Sequence, residues 1–426
     1  VTPPAYPREL AVRVLTRVLS EHEALDDALT RLSGEIPSGA RGWLQEVCAG
    51  TLRWKGRLDL AIDSAALKKK PSGWLRKILL VGAYQLVAQE RTDPAPVVDE
   101  TVTVVKRREG PAPAKFANAV LRRVSEHARE WRELAPPSSG SLSGSLSVSL
   151  KEEAAWASLP EWLWSRIVAA HGREWAQAFA RASLERPVLW ARARRPDWKP
   201  SWAEPGSLAC SLRATSGGAI PDKEGFAEGE FIVQDISSQT LVADIAAHVT
   251  RERGAGFSAL DLCAAPGGKS VGLAWSGAAV TSSDRDEARL RLLRGTLARA
   301  APQVGVATRE ELASRQFDLV WVDAPCSGTG IVRRHPDVRW LRSDTELERL
   351  RGVQTDLVRE GFGRVKPGGF FAYSVCSVLA EEGAELVRKA LETALGGPLV
   401  FAREWSLQPQ DSPFGDGFWA VLLKKS

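Results

Sequence analysis

Two cysteines carry the most specific chemical signal in this 426-residue chain. Cys326 follows the apolar run Phe317–Val322 and the tripeptide Asp323-Ala324-Pro325, and Cys376 follows a second apolar run that includes Gly369–Ser374. A thiol at a strand end opens onto a crevice, where it can serve as nucleophile, acid or base, since thiolate chemistry needs access. The 50 positions between the thiols hold one long helical segment, the length of a single crossover. The two strands are therefore expected to be neighbours in a parallel sheet, with both thiols at one lip. Isolated cysteines are more often small buried fillers, which is the reading for Cys48, Cys210 and Cys263.

A third apolar run ends in Asp261-Leu262-Cys263-Ala264-Ala265-Pro266-Gly267-Gly268-Lys269-Ser270. Small residues between a strand and a helix let backbone approach a ligand, and the helix start offers unpaired N–H groups. Asp284 lies about twenty residues beyond this loop, where an acid accepts hydrogen bonds from ribose hydroxyls. The plainer use of Asp284 or Asp286 is a helix N-cap. Gly268-Lys269-Ser270 also matches the end of a phosphate-binding loop, with Val320–Asp323 as its acidic partner strand, but that pattern needs glycine where Cys263 stands. A nucleoside ligand without a polyphosphate grip fits better than an ATPase.

These residues need a scaffold. Strands are expected at Ser258–Leu262, Ala278–Ser282, Phe317–Val322 and Gly369–Ser374, and helices at 269–275, 286–300, 344–364 and 381–394. Such alternation makes a doubly wound, Rossmann-like α/β sheet with ligands at the carboxyl ends of its strands. Upstream, apolar residues recur at helical spacing (Leu10, Val14, Val18; Leu44, Val47, Leu52; Leu75, Ile78, Leu79, Tyr84, Leu86; Val98, Val102, Val105; Phe116, Val120, Val124), so residues 1–134 read as an all-α domain. Residues 135–150 centre on an uncharged Ser- and Gly-rich stretch, the composition of a linker. Helices at 161–171 and 174–184 and an extended stretch to about 222 make residues 151–225 a small α+β adaptor, and 226–426 the catalytic domain.

With 44% hydrophobic and 26% charged residues the chain is globular, which excludes disorder, collagen and coiled-coil rods. No run approaches the roughly 18 apolar residues of a membrane span, and no apolar signal core opens the chain, so a cytoplasmic protein with no membrane association is expected. Five cysteines without a C-x-x-C pair argue against a disulfide framework and against a metal site. Residues 1–134 hold 22 Lys and Arg against 17 Asp and Glu, which is all of the net +5 charge. The clusters Arg53/Lys55/Arg57, Lys68/Lys69/Lys70, Lys106/Arg107/Arg108 and Arg122/Arg123 suit phosphate contact, or else form solvated helix faces.

Taken together, Asp261–Lys269, Asp323-Ala-Pro-Cys-Ser-Gly-Thr-Gly330 with Arg333-Arg-His-Pro-Asp337, and Tyr373-Ser-Val-Cys-Ser377 resemble the RsmB/NOL1/NOP2/Sun family of RNA cytosine-C5 methyltransferases. Gln234–Gln239, Val365–Gly369 and Asp416-Gly417-Phe418 extend the likeness, and Ala117–Arg123 resembles the signature of NusB-like helical RNA-binding domains. The resemblance implies S-adenosylmethionine as cofactor, bound by Cys263, Ala264, Ala265, Pro266, Gly267, Gly268, Lys269, Asp284, Arg289 and Asp323. It implies Cys376 as the nucleophile on C6, Cys326 as the product-release thiol, Asp323 at the N3 edge of the base, and Lys269 beside it. The NusB-like fusion points to the branch acting on 16S ribosomal RNA, on a single-stranded or accessible loop, with a monomer expected. A transfer-RNA methyltransferase and a non-catalytic ribosome-assembly factor are the competing readings. Two departures from the family are Val375, where Thr is usual, and the lack of an acid after the next strand, where Thr308 and Glu310 are nearest.

Overall fold

The structure is a computed structural model that describes residues 7–37, 39–67, 69–89, 92–137, 149–392, 400–411 and 415–426. The chain divides into two compact units, one running to Arg186 and taking in Val332–Ser343, the other holding Pro187–Ile331 and Asp344–Ser426.

The first unit is helical: α1 (Pro7–Glu21), α2 (Leu25–Arg31), α3 (Arg41–Ala65), α4 (Gly73–Ala88), α5 (Pro94–Glu109), α6 (Pro111–Glu126), α7 (Ala128–Arg132), α8 (Leu150–Ala157), α9 (Glu161–His171) and α10 (Arg173–Leu184). The three- and four-residue spacing of apolar positions turns one face of each long helix inward. Leu10, Val14, Val18, Leu44, Val47, Leu52, Ile78, Leu79, Val105, Val120 and Val124 are fully buried, and Leu75, Val102 and Phe116 pack against them. Helix ends follow local chemistry. Asp93 accepts the Ala95 N–H at the start of α5, and Ser149 and Glu152 form a reciprocal capping box on α8. Most of the expected linker, residues 138–148, lies outside the described residues. The expected adaptor is shared out: α8–α10 belong to the helical unit, and the residues after Arg186 belong to the second.

One basic cluster has a different use from phosphate contact. Arg53 and Arg57 are buried, and they donate to carbonyls: Arg53 Nε to Arg333 O at 2.9 Å, and Arg57 Nε to Trp156 O at 2.8 Å. The same unit closes over α14 (Val338–Leu341). Asp337 Oδ2 accepts the Leu25 N–H at 3.0 Å, and Trp340 Nε1 donates to Leu52 O at 2.9 Å. Arg339, fully buried, donates to Ser183 O at 2.6 Å and Ser158 O at 3.0 Å. The Arg-Arg-His-Pro-Asp stretch is therefore an internal strut of the helical unit.

In the second unit β1 (Trp190–Ala193), β2 (Ala203–Pro205), β3 (Ser211–Ala214) and β4 (Phe231–Val233) form an antiparallel sheet in the order β2-β3-β1-β4. The larger sheet contains β5 (Ser258–Asp261), β6 (Ala279–Ser282), β7 (Gly305–Val306), β8 (Phe317–Asp323), β9 (Val365–Val375), β10 (Val400–Leu407) and β11 (Phe418–Lys424), in the order β10-β11-β9-β8-β5-β6-β7. Strands β5 to β9 run parallel, as expected, while β10 and β11 form an antiparallel hairpin that pairs with β9. Helices α11 (Ile236–Arg253), α12 (Gly268–Trp275), α13 (Glu287–Ala300), α15 (Asp344–Gly363) and α16 (Ala384–Glu392) complete it. The sequence pattern does not announce α11, because its first turn reads Ile-Ser-Ser-Gln. Those polar residues are buried, and Asp235 caps them by accepting the Ser237 N–H. Among the described residues, no helix is long and apolar enough to cross a membrane.

Candidate active site

Strands β8 and β9 pair in parallel with Asp323 opposite Ser374, so the loops leaving them start side by side. Cys326 and Cys376 are thereby brought together with their Sγ atoms 3.3 Å apart, both partly exposed and both free thiols. The hydrogen bond to Cys376, then burial, then the charges of Cys376 and Glu382 hold the Cys326 thiol well above its ordinary pKa of 9. Backbone hydrogen bonds help to fix the loop after Cys326: Gly330 N donates to Cys376 O, and Gly330 O accepts from Gly417 N. A side chain at Gly330 would collide with Gly417 O at 2.1 Å, so this approach requires glycine.

Asp323 is gripped at both oxygens. Lys269 Nζ donates to Oδ2 at 2.6 Å and Ser374 Oγ to Oδ1 at 2.7 Å, while Ser374 Oγ accepts from the buried Trp321 Nε1 at 2.9 Å. Lys269 is not a solvated first-turn lysine: it is 8% exposed and stands 5.2 Å from the centre of the Phe418 ring. Val375 is fully buried in an apolar cluster with Leu386 and Val387, which explains why a valine is accommodated before Cys376.

The glycine loop joins β5 to α12. Gly267 has φ of 113°, and a Cβ there would press on Leu293 at 3.1 Å. Ala264 and Ala265 are buried, and burial raises the Cys263 thiol to about 12. Asp286, not Asp284, caps α13. Asp284 instead turns to the loop, where Oδ2 accepts from Ala265 N and Arg289 Nε at 3.2 Å each, and Arg289 also donates to Ala265 O at 2.8 Å. After β7, the Thr308 N–H donates to Glu311 and Glu310 is exposed. The residue that reaches the loop is Arg309, which donates to Leu262 O at 3.1 Å.

Sequence reasoning missed Asp261 as a site residue. Its Oδ2 accepts from Ser270 Oγ at 2.7 Å, but Oδ1 is buried without a partner, and burial pushes the carboxyl up to about 7. An unsatisfied buried acceptor beside a glycine loop calls for a donor-bearing ligand. The amino group of S-adenosylmethionine is a donor that would meet that need. The signal lay in the chain, as an acid at the last position of a strand that enters a glycine loop.

A sheet in this order with such a loop defines an S-adenosylmethionine-dependent methyltransferase. The family model for the 16S rRNA methyltransferases RsmB/F matches residues 252–401, and that of the NusB family matches residues 6–126. Proteins named ribosomal RNA small subunit methyltransferase B are similar along nearly the whole chain. Those of Serratia proteamaculans and Cronobacter sakazakii are each 31% identical, over 98% of both chains. The chain belongs to the RsmB/F methyltransferase family. The solved structure of PH0851 shares the fold over 99% of each chain, with a TM-score of 0.70 at 19% identity. A methyltransferase homologue from Pyrococcus horikoshii covers 66% of this chain and all of its own, with a TM-score of 0.51 at 21% identity.

Proposed function

We propose that this methyltransferase acts on carbon 5 of a cytosine in 16S ribosomal RNA, with Cys376 as nucleophile and Cys326 as the release thiol. The observation that carries the reading is the pair of thiols 3.3 Å apart beside Asp323. Two thiols are explained by two tasks. The Cys376 thiolate pair forms a bond to C6 of the ring, and C5 becomes an enamine-like carbon able to attack. Residues 263–268, Asp261 and Asp284 would hold S-adenosylmethionine, which would supply an electrophilic methyl group. Cys326, as a thiolate once its own proton has passed to water, then takes the C5 proton, the C5–C6 double bond re-forms, and Cys376 leaves with the electrons of the C–S bond. Asp323, steadied by Lys269 and Ser374, orients the base at its N3 edge.

The thiol pair also orders these steps. Cys326 keeps its proton chiefly because of its hydrogen bond to Cys376. Once Cys376 is a thioether on C6 that hydrogen bond is lost, and Cys326 releases its proton to water and acts as the base at the stage that needs one. Reaching C5 and C6 of a cytosine with thiols at the strand ends requires the base to leave its stack, which favours a single-stranded or accessible loop. The enzyme works in this reading as a cytoplasmic monomer, with residues 1–134 supplying RNA affinity.

The test uses full-length variants with labelled RNA and S-adenosylmethionine. Cys376→Ala is expected to form no covalent conjugate. Cys326→Ala is expected to accumulate a methylated enzyme–RNA conjugate that survives a denaturing gel. A conjugate in Cys376→Ala alone reverses the roles, and none in either variant removes the covalent reading. Bisulfite sequencing of ribosomal and transfer RNA from cells lacking the protein identifies the substrate.

A further inference from the structure

We propose that Glu382 is a positioning residue that sets the spacing of the two thiols. It ends the short turn Ala380–Glu382 between β9 and α16 and is completely buried. Its carboxylate accepts from the Ser327 N–H at 2.8 Å, the Ser377 hydroxyl at 2.6 Å, Gln354 Nε2 at 3.0 Å, and the Ser327 hydroxyl. Ser327 directly follows Cys326, and Ser377 directly follows Cys376. One carboxylate therefore holds the residue after each thiol.

The grip extends to both sides of Cys326, because Gln354 Nε2 also donates to Pro325 O at 2.9 Å. Thr329 and Ser377 hydroxyls lie 2.9 Å apart, and the Val378 and Leu379 N–H groups donate to Thr329 and Ser377, at 3.1 Å each. Tyr373 OH donates to the Glu382 carbonyl at 2.9 Å, which ties the turn back to β9. Every donor to the carboxylate among the described residues is neutral. Buried acceptors are costly when their hydrogen bonds are lost, so the two loops cannot drift apart without exposing that cost. The strand ladder ends at Asp323 and Ser374, short of both thiols, and beyond it the backbone joins the loops through Ala324 N to Ser374 O and Gly330 N to Cys376 O. Glu382 adds side-chain ties to the residue after each thiol.

The proposal rests on the two-thiol reading above, and its test separates the two. In a glutathione redox buffer, without RNA, the equilibrium fraction of Cys326–Cys376 disulfide reports how closely the thiols are held, measured by peptide mass spectrometry. Glu382→Gln, which keeps shape and removes charge and one acceptor, is expected to lower the effective thiol concentration at least tenfold. Ser327→Ala, a smaller change, should lower it severalfold in a fully folded chain. With RNA, both variants should bind S-adenosylmethionine as the parent does but accumulate the covalent conjugate, since Cys326 is displaced from C5. An unchanged disulfide equilibrium in both variants overturns the role of Glu382 even if Cys326→Ala traps the conjugate. A lowered equilibrium with no conjugate in Cys326→Ala keeps Glu382 as the spacer and removes the two-thiol mechanism instead. Loss of activity in step with thermal stability, with the thiol equilibrium intact in Ser327→Ala, means that the carboxylate only packs.

Discussion

Asp323 and Ser374 stand opposite each other on adjacent parallel strands, and the Ser374 hydroxyl joins Trp321 Nε1 to the Asp323 carboxylate. Ser374→Ala breaks both links and leaves a buried indole N–H unpaired. The variant is expected to lose about 1–3 kcal/mol of stability, the cost of a buried donor without a partner, measured by urea denaturation. Its kcat should fall more than its KM for S-adenosylmethionine rises, because Asp323 is freed on one side. A parent-like kcat would show that Lys269 alone orients Asp323.

Asp284 is held to the glycine loop by Ala265 and Arg289, with Asp286 doing the capping. Removing its carboxylate by Asp284→Ala should weaken S-adenosylmethionine binding by about 1–3 kcal/mol in calorimetry. Unchanged affinity in a folded variant would take Asp284 out of the cofactor site.

Asp261 introduces a pH dependence. Burial raises its carboxyl from the ordinary 3.8 to about 7, so between these values the folded protein holds a proton that the unfolded chain has lost. The stability contributed by this group is complete below about 4 and is lost as pH rises through 7. Ligand-free protein should therefore lose stability over that window relative to Asp261→Asn, in thermal melts across pH 4–8. The same variant should bind S-adenosylmethionine more weakly, since it replaces the unpaired acceptor and its charge. A flat difference between the two proteins would mean that the carboxyl titrates normally.

The helical unit should supply salt-sensitive RNA affinity through its exposed bases on α5 and α6. Lys106, Arg108 and Arg122 are exposed, in contrast to Arg53 and Arg57. Replacing all three with alanine should reduce the slope of log K against log salt by about 0.7 for each phosphate no longer neutralised, without changing cofactor affinity. An unchanged slope places the RNA elsewhere. Charge replacement is the cleaner test, because deleting residues 1–134 would strip the partners of Asp337 and Trp340.

Arg339 is the strut of the helical unit. Burial and the charge of Arg53 lower its guanidinium to about 9, still protonated at neutral pH, and it donates to four backbone carbonyls. Arg339→Met keeps much of the volume but leaves those acceptors dry. A loss of about 1–3 kcal/mol is expected in denaturant unfolding. No loss would show that water or a neighbour takes over the carbonyls.

The strands and loops that carry Cys326, Cys376 and the glycine turn were legible in the chain, because each is a local strand-loop-helix pattern written in consecutive residues. The crossover length between the thiols led to the expectation of neighbouring strands, since one helix of that length suits a parallel crossover connection. Apolar spacing likewise marked the helical core, with Leu10, Val14 and Val18 as its first stripe. What tertiary structure decided is which distant groups meet. The pairing of Lys269 with Asp323, the buried lone oxygen of Asp261, and the assignment of Asp286 rather than Asp284 to the cap depend on strand register and burial, which no local pattern encodes. Val332–Ser343 joined the helical unit although it follows a catalytic motif, and nothing local distinguishes Glu382 from its neighbouring acids in Ala-Glu-Glu-Gly-Ala-Glu. A carboxylate becomes a clamp only when folding removes its water and surrounds it with donors from segments up to 55 residues away.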